Sequence, residues 1–322
     1  MSSVISSVGQ LSRIELICGD PERLANFYQD AFGFERTGRL SIDEPAFAEL
    51  IGIAGARTSG VTLRLVQQTI SLVAIEPPGK PYPPDVAGCN LLFQHLAIVV
   101  ADMRSAFARL AAVAGWTAIS TGGPQLLPES SGGVTAFKFR DPEGHPLELL
   151  AFPQSAVPIE WQQVLPSVCL GIDHSAISVS NNVASVAFYR ELGLSRSGGS
   201  LNIGPEQSKL DAVPHAVVDV TSLALPRRST PHVELLSYQG DFGERRNAQG
   251  INDRTATRLV FEVDSADGLA ALCARHPTHV LSGPVTFADG SSRAMLRDPD
   301  GHLICLEAAR RLQPQPPVAN PG

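Results

Sequence analysis

The sequence predicts an α+β protein built from four βαβββ modules, and three observations carry that expectation. The stretch LANFYQDAFGFERTG (24–38) returns as SVAFYRELGLSRSG (185–198), so that Phe27-Tyr28 reappears as Phe188-Tyr189. RDPEGHPLELL (140–150) likewise returns as RDPDGHLICLE (297–307). Each half is also double within itself, because a short apolar strand, a capping residue and a helix recur four times along the chain. Self-similarity of this kind marks one supersecondary unit used repeatedly.

The first module (10–78) opens with RIELIC (13–18) and then Asp20-Pro21, an N-cap followed by proline at the first helical position. Its helix stops at Gly33. The second module (93–153) has HLAIVV (95–100), Asp102, an Ala-rich helix and Gly115. The third (170–239) has HSAISV (174–179), Asn181, a helix and Gly193. The fourth (256–309) has RLVFEV (258–263), Asp264, a helix and His276-Pro277. Further β-rich runs follow each helix. VTAFKF (134–139), the turn at DPEG (141–144) and PLELLAF (146–152) read as a hairpin. A sheet covered by its helix on one face leaves the other face bare, so the modules must pair. The chain divides into a first half at 1–155, a linker at 156–168, a second half at 169–310, and a Pro-rich tail at 311–322 read as disordered.

Composition narrows the function classes. The chain has 322 residues, 43% hydrophobic and 18% charged, which is ordinary for globular domains. A net charge of −7 with only three lysines, Lys80, Lys138 and Lys209, argues against a phosphate-binding surface and so against nucleic acid. No apolar run approaches the ~20 residues of a membrane helix, and the N-terminus carries no secretory pattern. The five cysteines are scattered and never in a C-x-x-C pair, so they form neither a disulfide framework nor a thiolate zinc site. A reduced, cytoplasmic, soluble protein is the expectation.

Four βαβββ modules, with FY on the helix and DPxGH before the last strand, resemble the vicinal oxygen chelate superfamily. That superfamily holds glyoxalase I, extradiol ring-cleaving dioxygenases, epimerases and bleomycin-resistance proteins. The resemblance covers nearly the whole chain and implies modules paired into two cupped, mixed-sheet (half-barrel) units. It also implies metal ligands at two places: a His, Gln or Glu opening a module's first strand, and a Glu in its last strand. Module two supplies His95 and Glu148, and module three supplies His174 and Glu234. Module one has Arg13 at the first place and no carboxylate in ISLVAI (70–75). Module four has Thr257 or Arg258 there, Cys305 where Glu148 stands, and Glu307 two residues late. Pairing one-with-two and three-with-four would leave one His and one Glu per cup, short of the three protein ligands a catalytic metal usually needs. Pairing two-with-three and one-with-four gathers His95, Glu148, His174 and Glu234, and is the arrangement expected.

Strand alternation puts His95 with Ala97 and Val99, and His174 with Ala176 and Ser178, away from the larger apolar residues under the helices. Glu148 and Glu234 lie in strongly apolar strands, where an unpaired carboxylate needs a cation or a proton. Two imidazoles and two carboxylates suit a divalent first-row ion: Ni, Zn, Fe, Mn or Co. By resemblance such an ion acts as a Lewis acid on two vicinal oxygens, with Glu148 or Glu234 moving a proton. An isomerase or lyase is the first expectation. The alternatives are an Fe(II) extradiol dioxygenase, which uses two His and one carboxylate, and a metal-free drug-binding protein of the bleomycin-resistance type.

Other residues receive plainer readings. His145 and His302 follow a turn glycine and read as surface positions, while His215, His232, His276 and His279 receive no role. Phe27, Tyr28, Phe188 and Tyr189 read as core, and Asp141, Pro142 and Gly144 as turn formers. Arg13 and Arg258 are expected to replace metal charge by pairing with Glu15 or Glu262. The one–four cup then reads as a structural relic, with an anion-binding pocket as the lesser alternative.

Overall fold

The computed structural model describes residues 7–162, 167–225, 228–240 and 249–309. Module one comprises β1 (Val8–Ile17), α1 (Pro21–Phe32), β2 (Glu35–Ile42), α2 (Pro45–Ile51), β3 (Arg57–Leu65) and β4 (Gln68–Glu76). Module two comprises β5 (Gln94–Val100), α3 (Met103–Ala111), the short β6 (Thr117–Ala118) and β7 (Gln125–Leu126), β8 (Thr135–Arg140) and β9 (Pro146–Ala151). The connector carries α4 (Ile159–Gln162). Module three comprises β10 (Cys169–Ser178), α5 (Asn182–Leu192), β11 (Ser195–Ile203), α6 (Pro205–Asp211), β12 (Val217–Leu225) and β13 (Arg228–Tyr238). Module four comprises β14 (Arg258–Val263), α7 (Ala266–Arg275), β15 (Val280–Thr286), β16 (Ser292–Arg297) and β17 (Leu303–Ala308). The tail expected at 311–322 lies outside the described residues. Among the described residues no helix is long and apolar enough to cross a membrane.

Local chemistry sets the helix ends. Asp20, Asp102 and Asn181 accept the backbone N–H three residues on, and Gly33 and Gly193 adopt the left-handed C-cap. The cap of α7 is Ser265 rather than Asp264. Modules one and three each contain a second helix, α2 or α6, that the repeat pattern did not announce; both start with proline at N1.

The sheets pair across the halves. One runs β15-β16-β17-β14-β1-β4-β3-β2 and joins module four to module one. The other runs β11-β12-β13-β10-β5-β9-β8-β6 and joins module three to module two. Both seams are antiparallel, β1 on β14 and β10 on β5. The helix-covered faces of both sheets share one core, in which Leu16, Leu72, Leu259 and Leu306 meet Leu96, Ile98, Leu149 and Leu235. The concave faces are lined separately, around Phe47, Val73, Val260 and Met295 in one cup and Ala176, Val220, Leu236 and Tyr238 in the other.

The DPxGH turns are internal, which corrects the surface reading of His145 and His302: they are only 1% and 2% exposed. His145 Nδ1 lies 2.8 Å from Asp141 Oδ2 and its Nε2 lies 2.9 Å from the carbonyl oxygen of Ile17, at the end of β1. The Tyr28 hydroxyl donates to the same Asp141 oxygen at 3.2 Å. In the second half the Tyr189 hydroxyl donates to Asp298, and His302 Nε2 reaches the Ser178 carbonyl, at the end of β10, at 3.0 Å. The tyrosine of FY and the aspartate of DPxGH are therefore partners. Each hairpin turn is buried because the preceding module's strand end and helix close over it.

Candidate metal centre

The floor of the two–three cup is formed by β9, β5, β10 and β13 in that order. Register arranges its donors in two rows. Glu148, Ala97, His174 and His232 lie side by side across the four strands. The adjacent row places His95, Ala176 and Glu234 side by side. Each row thus joins one module's histidine to the other module's glutamate across an alanine. An alanine ends at Cβ, so the longer side chains can meet above it.

They do meet. His95 Nε2 lies 3.0 Å from Glu148 Oε2 and 3.3 Å from His174 Nε2. His174 Nε2 is 3.6 Å from Glu148 Oε2 and 3.5 Å from Glu234 Oε2, so both carboxylates reach one nitrogen. His95, Glu148 and His174 form the tight group, and all three are buried. Glu234 stands beside it, with its other oxygen accepting from Ser222 Oγ at 2.9 Å and lying 3.3 Å from His232 Nε2.

Charge explains the protonation states. Burial pushes His95 below its ordinary value, helped by the nearby Lys138 cation, and leaves a neutral imidazole with a lone pair. Burial acts on His174 in the same direction, yet Glu234, Asp173 and Glu148 outweigh it and raise His174 well above the usual range. Glu148 is held well below the ordinary carboxylate value, because Lys138 and the two imidazoles overcome the burial that would raise it. Glu234 is lowered in the same way by His174 and His232. The carboxylates around His174 therefore hold a positive charge at that point, either a proton or a divalent ion.

The donor set fits a divalent ion. Two Nε2 atoms 3.3 Å apart converge on a carboxylate oxygen, and only one hydrogen can lie between two such nitrogens. Asp173 Oδ2, 2.9 Å from His174 Nδ1, fixes that ring with Nε2 toward the cluster, the support a ligating histidine ordinarily receives. His95 Nδ1 is buried with no hydrogen-bond partner among the described residues.

Several residues of the cup escaped the sequence reading. Lys138 faces Glu148 across the β8–β9 ladder, and its ammonium lies 2.7 Å from Asp211. Tyr238 and Gln207 also donate to Asp211. The signal for Lys138 was present as a charge between two phenylalanines in FKF (137–139), where alternation sets it on the face opposite Phe137 and Phe139. His232, given no role, belongs beside the site: it precedes Glu234 by two residues on one face of β13 and also lies 4.0 Å from Asp173. His215, His276 and His279 do not line the cavity. That cavity is about 310 Å³, with Leu127, Leu150, Leu210 and Val220 among its apolar walls.

Among the described residues the one–four cup carries no such cluster. Arg258 occupies the place of His95 and faces Glu15, whereas Arg13 occupies that of His174 and faces Val260. Cys305 stands beside Val260 as Glu148 stands beside Ala97, and Ser71 beside Glu15 as Glu234 stands beside Ala176. Arg258 Nη1 lies 2.6 Å from Glu15, in keeping with one expected pairing. Glu262 is not the partner of either arginine; it accepts from Gln10. Four residues along a strand, roughly 13 Å, separate it from Arg258. Arg13 lies 3.9 Å from Glu15, the expected partner, and pairs more closely with Glu307 at 2.5 Å.

Paired mixed sheets, an antiparallel seam between modules and ligand-type residues on the central strands define a class of duplicated βαβββ proteins. The family model for the Glyoxalase/Bleomycin resistance protein/Dioxygenase superfamily matches residues 10–149 and 171–306, and the chain belongs to that superfamily. Among solved structures it is similar to glyoxalase I from Zea mays, with a TM-score of 0.62 and 16% identity over 93% of this chain and 92% of that one. A single-site variant of the maize enzyme gives a TM-score of 0.61 and 14% identity over 93% and 92%. At these identities the likeness concerns the fold. No curated protein matches.

Proposed function

We propose that the two–three cup is the active site of a metal-dependent enzyme acting on a small molecule with vicinal oxygens, by an isomerase or lyase reaction. His95, Glu148 and His174 hold the ion, and Glu234 is the proton-transfer base. The position of Glu234 carries this reading: it touches His174 Nε2 at 3.5 Å yet is retained outside the tight group by Ser222 and His232. A carboxylate held ionised at the edge of the donor cluster is placed to take a proton from a substrate carbon and return it to the neighbouring one. The ion supplies Lewis-acid stabilisation of the negative charge that develops on the substrate oxygens. Lys138 keeps Glu148 ionised, and Asp173 keeps His174 oriented.

A second reading, an Fe(II) ring-cleaving dioxygenase, is favoured by one observation: the tight group is itself two histidines and one carboxylate. One pair of measurements separates the two. The metal-loaded protein, incubated in D2O with α-hydroxyketones such as dihydroxyacetone, should exchange the carbon-bound proton, read by NMR. Oxygen uptake with catechols or hydroquinones, without such exchange, would select the dioxygenase. Protein that binds no divalent metal would remove both.

A further inference from the structure

We propose that the one–four cup is a second binding site, for a small molecule with a single carboxylate and an apolar body. Five charged side chains line this cup and form one alternating chain, Arg258–Glu15–Arg13–Glu307–Arg293, which begins and ends on a cation. Its links are 2.6 Å from Arg258 to Glu15, 3.9 Å from Glu15 to Arg13, 2.5 Å from Arg13 to Glu307 and 2.9 Å from Glu307 to Arg293. Among the residues lining this cavity of about 280 Å³, three guanidiniums face two carboxylates, a surplus of one cation; the exposed Asp289 lies near Arg293 but outside the lining.

The hydrogen-bond inventory agrees. Arg258 Nε and Arg293 Nε are buried and have no partner among the described residues. A buried donor without an acceptor is unfavourable, and an incoming carboxylate is the group that guanidinium forks match best. The other two residues at the ligand positions add no negative charge: Ser71 is a neutral hydroxyl, and burial and Glu307 push the Cys305 thiol up to about 11. Apolar walls come from Leu40, Ile42, Phe47, Leu50, Val73 and Met295, with the hydroxyls of Thr58, Thr62 and Ser71 as neutral polar groups in the same lining. The cavity lies near the lower end of ordinary ligand sites, about 300–1,000 Å³, which sets the size of the molecule. The relic reading accounts for the paired charges but not for the surplus cation or the two unpartnered donors.

Met295 provides the readout, because the chain has only three methionines and Met103 does not line the cup. In the full-length protein labelled with ¹³C-methyl methionine, benzoate should move the Met295 methyl resonance saturably and leave Met103 in place. Benzamide, of the same shape without the charge, should leave both unmoved. Arg293→Gln removes the surplus cation while Glu307 keeps Arg13, and should weaken benzoate binding at least about tenfold, as loss of one charge-assisted contact implies. The comparison of benzoate with benzamide on the natural chain needs no variant. An equal response to benzamide, no saturable movement with benzoate, or an unchanged affinity in Arg293→Gln would overturn the proposal. Equal saturation by inorganic phosphate would overturn the apolar-bodied ligand class.

Discussion

The two cups share a backbone plan and differ in what stands on the same four positions. In one, His95, Glu148, His174 and Glu234 surround a pair of alanines. In the other, Arg258, Cys305, Arg13 and Ser71 occupy the corresponding positions, with Glu15 and Val260 in place of the alanines. The first arrangement concentrates lone pairs and leaves room above the floor for an added cation. The second fills that room with a carboxylate and brings its own cations. A pleated floor with a seam at its centre is thus neutral about chemistry; the side chains at six positions decide it.

The largest effect should come from the histidines. His95→Ala and His174→Ala should each reduce bound divalent metal, measured by atomic absorption on purified protein, from one per chain to nearly none. Full occupancy in either variant would break the claim that the two rows serve one ion. Glu234→Gln should retain the metal and slow substrate proton exchange by about 10²–10⁴-fold, the usual contribution of a positioned base. Loss of metal alongside activity would move Glu234 from base to ligand.

In the other cup, Arg258→Met leaves Glu15 only the longer contact with Arg13, 3.9 Å away, and should lower the free energy of unfolding in urea by up to about 3–5 kcal/mol. Replacing both residues with apolar ones should restore most of that loss, whereas the metal content of the first cup should not change in either case. Acid sharpens the same contrast. Arg258 and Arg13 hold Glu15 below its ordinary value of 4.5 despite its burial, so its contribution is present above that pH and fades as pH falls through the folded value. The Glu15→Gln variant should therefore lose less stability than the natural chain on acidification.

The smallest expected effect concerns what the two halves have in common. Burial alone would lower the pKa of His145, but Asp141 and the Ile17 carbonyl raise it above the ordinary 6.5. Its contribution is complete below that value and is lost as pH rises through the folded one. His145→Gln should cost about 1–3 kcal/mol at pH 6, and the difference from the natural chain should narrow in alkaline buffer. A gap independent of pH would assign the role of His145 to shape rather than charge.

Much of this was legible in the chain because period and repetition are local. Alternation in HLAIVV and HSAISV assigned the faces of β5 and β10, and the absence of ligand pairs from modules one and four pointed to the crossed pairing. What the sequence concealed depends on contacts between distant segments. Lys138 matters because Asp211 arrives from another module, and His145 is buried because β1 ends above it. Nothing in RDPEGH itself distinguishes a solvent-facing turn from one covered by another strand. The short helices α2 and α6 were missed because one turn or two of helix leaves too little periodicity to read.

Two kinds of joint hold the four modules, and they do not join the same neighbours. The sheet seams link two with three and one with four, whereas the tyrosine–aspartate–histidine turns link one with two and three with four. The result is a closed circuit of modules rather than a string of beads. A chain severed at the connector would leave β1 and β5 on one fragment as unpaired edges, with their complements β14 and β10 on the other. Co-expressed fragments should reassemble into one particle, and each fragment made alone should aggregate.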